Sequence, residues 1–489
     1  MTILRSGWLL GPLLLSATLL RAQQKSGAFT ADGSVRVRAE SWDWFEPQTG
    51  VPGDNSYTFF AILGHGIFGY DSRRWFDARA DIQSTTLLNL PVHSNAPPPA
   101  GDLGLGASYF ATHKDGNPSR AFLNQGYLTL KSPGRPSTFL RAGRFEFQDG
   151  LEVMTGDATL DWLKRARLGA RLVSTVGFTH SGRSLDGFQA SFDRPRFNFT
   201  ALATHPRQGI FEPEGMPDIS KVDLGLLSAT LKPGTILPRS EFRFFYLYYG
   251  DDRSPADTVV KVDNRAAPAR AADSAAIQLH QFGLHAVKAV PLGNGEADLL
   301  FWGVLQRGDW GLLKHRAAAF SIEAGYQPRM AWRPWIRAGF FRSTGDADPN
   351  DGTHGTYFIT LYTARQFAQF PFYNAMNSRD LFVQFLVRPI PGKLTIRSEF
   401  HDLHLTEAAD LWYGGSGPFE RRGNFGIGGK PSGGNNDLAK TLDLALTWDP
   451  SPRWTLYGYV GHAWGGETTK FVYGNDSATL AYLELVSRF

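Results

Sequence analysis

Cysteine is absent from all 489 residues, which excludes disulfides, a thiolate metal centre and the lipidated cysteine of a lipoprotein. Long apolar runs are as scarce. One follows Arg5 over residues 8–20 and is too short for a membrane-spanning helix, which needs roughly 20 apolar residues. With Leu20-Arg21-Ala22 behind it, this stretch reads as a secretory signal over residues 1–22, cleaved before Gln23. Farther along, the aromatic stretch at residues 242–249 is also far too short, so a helical membrane protein is excluded. Charge of one sign is lacking as well. Fifty basic side chains stand against 46 acidic ones, a formal net charge of +4, and no basic run interleaved with aromatics suggests nucleic acid. Lysine is rare: 13 of the 50 cations, leaving 37 arginines. Arginine holds its charge and grips carboxylates with a planar fork, whereas lysine acts as a hydrated point charge.

What is abundant is aromatic side chain and glycine: 36 Phe, 16 Tyr, 13 Trp and 53 Gly. Aromatic girdles at two interfaces, with glycine at crowded bends, suit a membrane β-barrel. The last ten residues supply the pattern. Counting back from Phe489, one face carries Ser487, Leu485, Leu483 and Ala481, and the other Arg488, Val486, Glu484 and Tyr482. Such two-residue alternation, ending on an aromatic, is what bacterial outer-membrane barrels present at their final strand. Similar alternation recurs: Val35, Val37 and Ala39 oppose Arg36, Arg38 and Glu40, and Phe76, Ala78, Ala80 and Ile82 oppose Asp77, Arg79, Asp81 and Gln83. Short Pro-Gly turns such as Lys131-Ser132-Pro133-Gly134 separate some segments. Long loops rich in Gly, Pro, Asp or Asn, at residues 91–105, 251–276, 345–355 and 414–437, separate others. The expectation is an all-β, transmembrane antiparallel barrel of about 18 strands over residues 23–489, a single domain wide enough to hold water.

Five local patterns occur in order: Phe139-Leu140-Arg141-Ala142-Gly143-Arg144 with Ser184-Leu185-Asp186-Gly187-Phe188, and Ser343-Thr344-Gly345-Asp346 through Gly352 with Thr356-Tyr357-Phe358. Asn377 with the strand reaching Arg388-Pro389 is the third, and His401 to His404 with Asp410-Leu411-Trp412-Tyr413 the fourth. The fifth is Asp443 paired with Gly458-Tyr459-Val460-Gly461-His462-Ala463-Trp464. Together they resemble the alginate export family of outer-membrane barrels. The resemblance implies a bacterial outer-membrane channel whose arginine-lined constriction passes an anionic polysaccharide such as alginate. Residues 147–183 are longer than the family pattern would place there.

If the apolar faces meet lipid, the opposite faces line a lumen. Alternation then puts Arg36, Arg38, Arg79, Arg243, Arg333, Arg337, Arg388 and Arg397 inside, and the resemblance adds Arg144. Rings of arginine lower the energy of an anion in a pore. The competing reading pairs these cations with Glu40, Asp77, Asp81, Glu241 and Glu399, merely bracing the wall. Expected partners are an anionic polysaccharide or small anionic solutes, outer-membrane lipid and periplasmic export components, with the chain acting as a monomer. A porin for uptake of small anions or oligosaccharides is the alternative within transport. Asp346, Asp348, Asn350 and Asp351 imitate a calcium loop, but the glycine comes one position late, Pro349 intervenes and Tyr357 occupies the closing acidic position. A solvated loop cap is expected there rather than a metal site, and no cofactor is expected elsewhere. An outer-membrane hydrolase would need His401, His404 and Asp402 to converge, yet residues 401 and 404 of a regular strand face opposite sides. No nucleophile elbow, zincin or phosphate loop accompanies them, so an enzyme is not expected.

Overall fold

The structure, a computed structural model, describes residues 29–489 except 73, 74, 213, 364 and 366–368; the expected signal segment lies outside the described residues. Eighteen antiparallel strands form a closed barrel, the number the alternation predicts. Each strand pairs with its sequence neighbours in the wall. The first, Phe29–Asp43, closes the circle against the last, Ser477–Arg488, with Val35 opposite Ser487 and Ala39 opposite Leu483. Closure removes both sheet edges, so every ladder group of the wall finds a partner away from water.

The strands form because their side chains alternate between two solvents. In Trp335–Ser343 the inward residues Trp335, Arg337, Phe341 and Ser343 are buried, while Ile336 looks outward. The same inversion runs around the wall: Leu227 is 57% exposed and Leu305 56%, whereas inward Glu323 and Arg337 are 1% and 0% exposed. Grease outside and charge inside is the sorting a bilayer imposes. No helix among the described residues is long and apolar enough to cross a membrane.

One rim carries short turns, at residues 133–134, 292–294, 391–393 and 452–453; the other carries the long connections, at residues 89–118, 146–184, 252–276, 344–377 and 406–436. A single tight turn, residues 311–312, interrupts the long-loop rim. This asymmetry assigns the short turns to the periplasm and the long loops to the outside.

Two long loops do not stay at the rim. Residues 146–184 descend the lumen to its periplasmic end, where Asp157 accepts from Arg239 Nε at 2.6 Å and Arg239 also reaches Glu296 at 2.5 Å. The segment carries a helix, Ala158–Leu163, capped by Asp157, whose carboxylate takes the backbone N–H groups of Thr159 and Leu160. Leu160, Leu163, Leu168 and Leu172 from this plug pack on the inner wall at Leu226, Phe245, Leu247 and Trp302. The core of the protein is therefore inside the barrel, between plug and wall.

Residues 344–377, of which 364 and 366–368 lie outside the described residues, supply a second insertion, a strap across the lumen. Phe358 N donates to Gln306 and Thr360 bonds Gln281 on one wall. Leu361 exchanges backbone bonds with Leu172 and Ser174 of the plug. Gln369 N then donates to Asp443 on the opposite wall. Beneath the rim, Leu411–Gly415 and Ile427–Pro431 make a separate hairpin.

Candidate functional site: the narrowed lumen

The plug touches both sides of the wall: residues 177–181 bond Arg36, Arg38, Glu40, Gln83 and Thr85 on one side, and residues 152–171 bond charged groups on the other. On the second side the wall charges are ion-paired: Lys164 holds Glu241 at 2.6 and 2.8 Å, and Arg243 reaches Glu152 at 2.5 Å. At the centre, Glu323 accepts from Arg167 Nε at 2.9 Å, Arg171 Nη2 at 3.0 Å and Arg337 Nη2 at 3.0 Å. Arg337 also binds Asp298, which takes the Trp335 indole N–H at 2.8 Å. Buried charges require this degree of pairing, because each would otherwise lose its hydration uncompensated.

The opposite wall keeps inward groups partly exposed, among them Arg36, Arg79, Arg141, Arg397 and Tyr457. Here the lumen narrows. Plug residue Phe178 stands between two guanidinium groups, Arg365 of the strap 3.8 Å from its ring centre and Arg38 of the wall 4.6 Å away. Tyr457, Tyr459 and Tyr482 stack beside it, with ring centres of 457 and 482 at 5.5 Å and of 459 and 482 at 5.0 Å. Arg38 is neutralised by Glu40 at 3.0 Å and Glu484 at 2.6 Å. Arg365 is not. Its Nε donates to the Gln369 carbonyl and Nη1 to the Tyr482 hydroxyl, but it forms no ion pair among the described residues and its Nη2 lacks a hydrogen-bond partner. Below it, Arg141 lies 4.4 Å from the Tyr127 ring and bonds Thr129 and Gln189; Arg79, opposite Tyr127 in the ladder, joins it, and neither forms an ion pair among the described residues. Above it, a vestibule of about 260 Å³ opens among the loops, lined by Trp44, Phe178, Arg365, Phe372, Trp412 and Lys430.

The nine arginines expected in the lumen divide accordingly. Arg36, Arg38, Arg79, Arg243, Arg337, Arg388 and Arg397 lie on inward faces. Several are braced by carboxylates, and Arg36 and Arg397 sit 3.7 and 3.9 Å from Glu484 and Glu399. Arg144 is a correction. It shares its face with outward Leu140, opposite Asp186 in register, and forks onto that carboxylate with two bonds of 2.6 Å on the outer wall. Arg333 is a second correction: it occupies the short turn 329–334 at φ 44°, before the strand begins at Trp335, so alternation does not apply to it. Arg141, Arg167, Arg171 and Arg365 were missed. Arg141 was available from alternation, since it shares a face with Phe139 and Phe145.

The loop at Asp346 closes on itself. Asp346 accepts the N–H groups of Asp348 and Gly355, Asp348 that of Asn350, and Asp351 that of Thr353. Burial pushes the Asp346 carboxyl up to about 6. Glu399, His401 and Asp443 are close enough together to suit a metal. However, Arg167 and Arg397 lie within 4 Å of Glu399 and supply positive charge, while Tyr459 and Gln369 N already donate to Asp443. His401 faces inward on Asp380 at 2.9 Å and His404 lies on the outer face by Asp402, so they build no joint site.

A sequence model of the alginate export family matches residues 94–481. The chain belongs to the alginate export family. No curated protein matches it. Among solved structures, OccAB2 of Acinetobacter baumannii is 9% identical over 94% of this chain and 98% of that one, with a TM-score of 0.58. OpdK, an outer membrane protein of Pseudomonas aeruginosa, is 9% identical over 94% and 99%, TM-score 0.55. OprD of the same organism is 9% identical over 94% and 93%, TM-score 0.51. At these identities the likeness concerns the fold, a porin-like barrel. Family and fold together place this member of the alginate export family in the bacterial outer membrane as a channel.

Proposed function

We propose that this channel passes an acidic polysaccharide, alginate-like in chemistry, through the lumen past the plug and strap. The observation that carries the reading is the arrangement around Phe178: stacked tyrosines beside Arg365, a half-buried guanidinium that forms no ion pair among the described residues. Sugar rings present apolar C–H faces that suit aromatic side chains, and uronate carboxylates suit arginine forks. Arg79 and Arg141 continue the positive path toward the periplasm. Each contact is single and replaceable, as transport requires, since a chain held too firmly would not leave. Membership of the alginate export family supports the same cargo.

A second reading, uptake of small organic anions, is favoured by the modest vestibule of about 260 Å³ and by OpdK, a fold relative solved with vanillate. Planar-bilayer recording separates the two. The native channel should be anion-selective and blocked from the periplasmic side by oligouronates. Arg365→Gln should weaken that block about tenfold, the worth of one charge-assisted hydrogen bond. Arg144→Gln, on the outer wall, should leave both unchanged. Permeation by small carboxylates with no block by oligouronates would favour the second reading, and a cation-selective channel would refute both.

A further inference from the structure

The lipid-facing side of the outer rim is not uniform. On six consecutive strands, from Gly295–Trp310 through Leu313–Pro328, Trp335–Ser343, Ser378–Ile390 and Leu394–Leu405 to Asp437–Ser451, the outward residues form an apolar band that ends below the long-loop rim. The first outward side chain beyond that band is Arg307 above Leu305, Arg316 above Ala318, Arg342 above Phe340, Arg379 above Leu381 and Lys440 above Leu442, with Asp402 alone of opposite sign. All five cations are exposed. None of them forms an ion pair among the described residues.

Register makes the clustering costly. Arg307 stands directly opposite Arg316, and Arg342 directly opposite Arg379. Like charges at facing positions of an antiparallel pair repel, and beside hydrocarbon the repulsion is screened less than in bulk water. Elsewhere around the rim the corresponding positions are Ser41, Thr58, Ser84, His205, Asp223 and Thr479, and outward Arg144 is neutralised by Asp186. Lys440 faces Asp402 in register, so the uncompensated cations are the four arginines, two facing pairs confined to one sector at the edge of the apolar band.

We infer that this sector is a binding site for the phosphate groups of the outer leaflet's phosphorylated glycolipid, lipid A. A phosphate between two facing guanidinium groups accepts a fork from each and converts their repulsion into attraction, and the acyl chains then lie along Leu305, Leu381 and Leu442. Arginine at four of the five positions fits a planar grip on phosphate better than it fits simple solvation.

The test is native mass spectrometry and thermal melting of the full barrel in neutral detergent, with added bisphosphorylated lipid A or the same lipid with its phosphates removed. The native protein should retain the phosphorylated form about tenfold more tightly, the worth of one charge-assisted hydrogen bond or more. The fourfold variant Arg307→Gln, Arg316→Gln, Arg342→Gln, Arg379→Gln should lose that preference. In detergent without lipid the variant should melt at or above the native temperature, because facing like charges are gone, while lipid A should raise the melting temperature of the native protein alone. Should the fourfold variant not fold, Arg342→Gln with Arg379→Gln carries the same readouts. Equal retention of both lipids, unchanged preference in the variants, or a melting gain reproduced by millimolar inorganic phosphate would overturn the proposal.

Discussion

Glu323 is the residue on which the plug's attachment turns. Its carboxylate takes Arg167 at 2.9 Å and Arg171 at 3.0 Å from the plug, and Arg337 at 3.0 Å from the wall, all of them buried. Glu323→Leu removes the acceptor common to three guanidinium groups. Arg337 retains Asp298, and Arg167 retains Glu399 at 3.8 Å, but Arg171 loses the carboxylate it reaches. Breaking a buried pair from one side costs about 3–5 kcal/mol, because the surviving charge stays out of water. At the lower figure, detachment of the plug becomes roughly 150-fold more frequent. Arg171→Leu should cost less, since Glu323 keeps Arg167 and Arg337, and the double replacement should cost less than the sum because Arg171 is then no longer a charge left without its carboxylate. Urea unfolding in micelles measures the cycle, and bilayer recordings should show a noisier, larger current in Glu323→Leu as the plug detaches. Additive single costs, or a loss below about 1 kcal/mol with unchanged current, would refute the claim that this carboxylate anchors the plug.

Two further outcomes follow from local geometry. Gly308 sits in a strand at φ 143° with a Cβ position overlapping the Gln278 carbonyl, so Gly308→Ala should destabilise the barrel by about 1–3 kcal/mol in the same urea assay, and an unchanged midpoint would contradict the strain. At the outer rim, burial and then the nearby Glu212 push the Glu420 carboxyl from 4.5 up to about 7. Its native form holds the proton more tightly than the unfolded chain does, so its contribution is complete below about 4.5 and is lost as pH rises through about 7. Hydrogen exchange of residues 406–436 should accordingly be slower at pH 5 than at pH 8 beyond the intrinsic rate change, and Glu420→Gln should remove the difference; protection that grows with pH would contradict the assignment.

The wall was legible because lipid and water impose a two-residue period that few other environments require. Leu483, Leu485 and Phe489 do face outward, and Tyr482 and Glu484 inward, as alternation from the terminal residue dictates. The two misplaced arginines mark where that rule was set aside or overextended. Arg144 was placed by resemblance to a family motif, although Leu140 and Ala142 fix its face as outward. Arg333 was counted in a strand that starts two residues later. The plug carried a different signal: Leu160, Leu163, Arg167, Leu168, Arg171 and Leu172 recur at three- and four-residue intervals, a helical spacing inside a chain otherwise built on two. Likewise the strap's Tyr357-Phe358-Ile359 is too apolar for a loop in water, which points it into the barrel.

Inward direction alone does not make an arginine available to a passing anion; its nearest carboxylate decides. Arg38, Arg243 and Arg337 face the lumen and are already satisfied by Glu484, Glu152 and Asp298. Arg365 belongs to no strand, so no alternation could have found it, yet it stands beside Phe178 and Tyr482 without an ion pair among the described residues. The braced wall is visible in the ion pairs of Arg38, Arg243 and Arg337, whereas anion selection by arginines belongs to the proposed function. Paired arginines hold plug to wall around Glu323. Arg79, Arg141 and Arg365 form no ion pair among the described residues, although Asp77 and Asp443 act through space on Arg141 and Arg365. Under the proposed function an anion crossing there would exchange hydration for guanidinium without displacing a salt bridge, so charge removal at 365 should alter selectivity more than removal at any braced position.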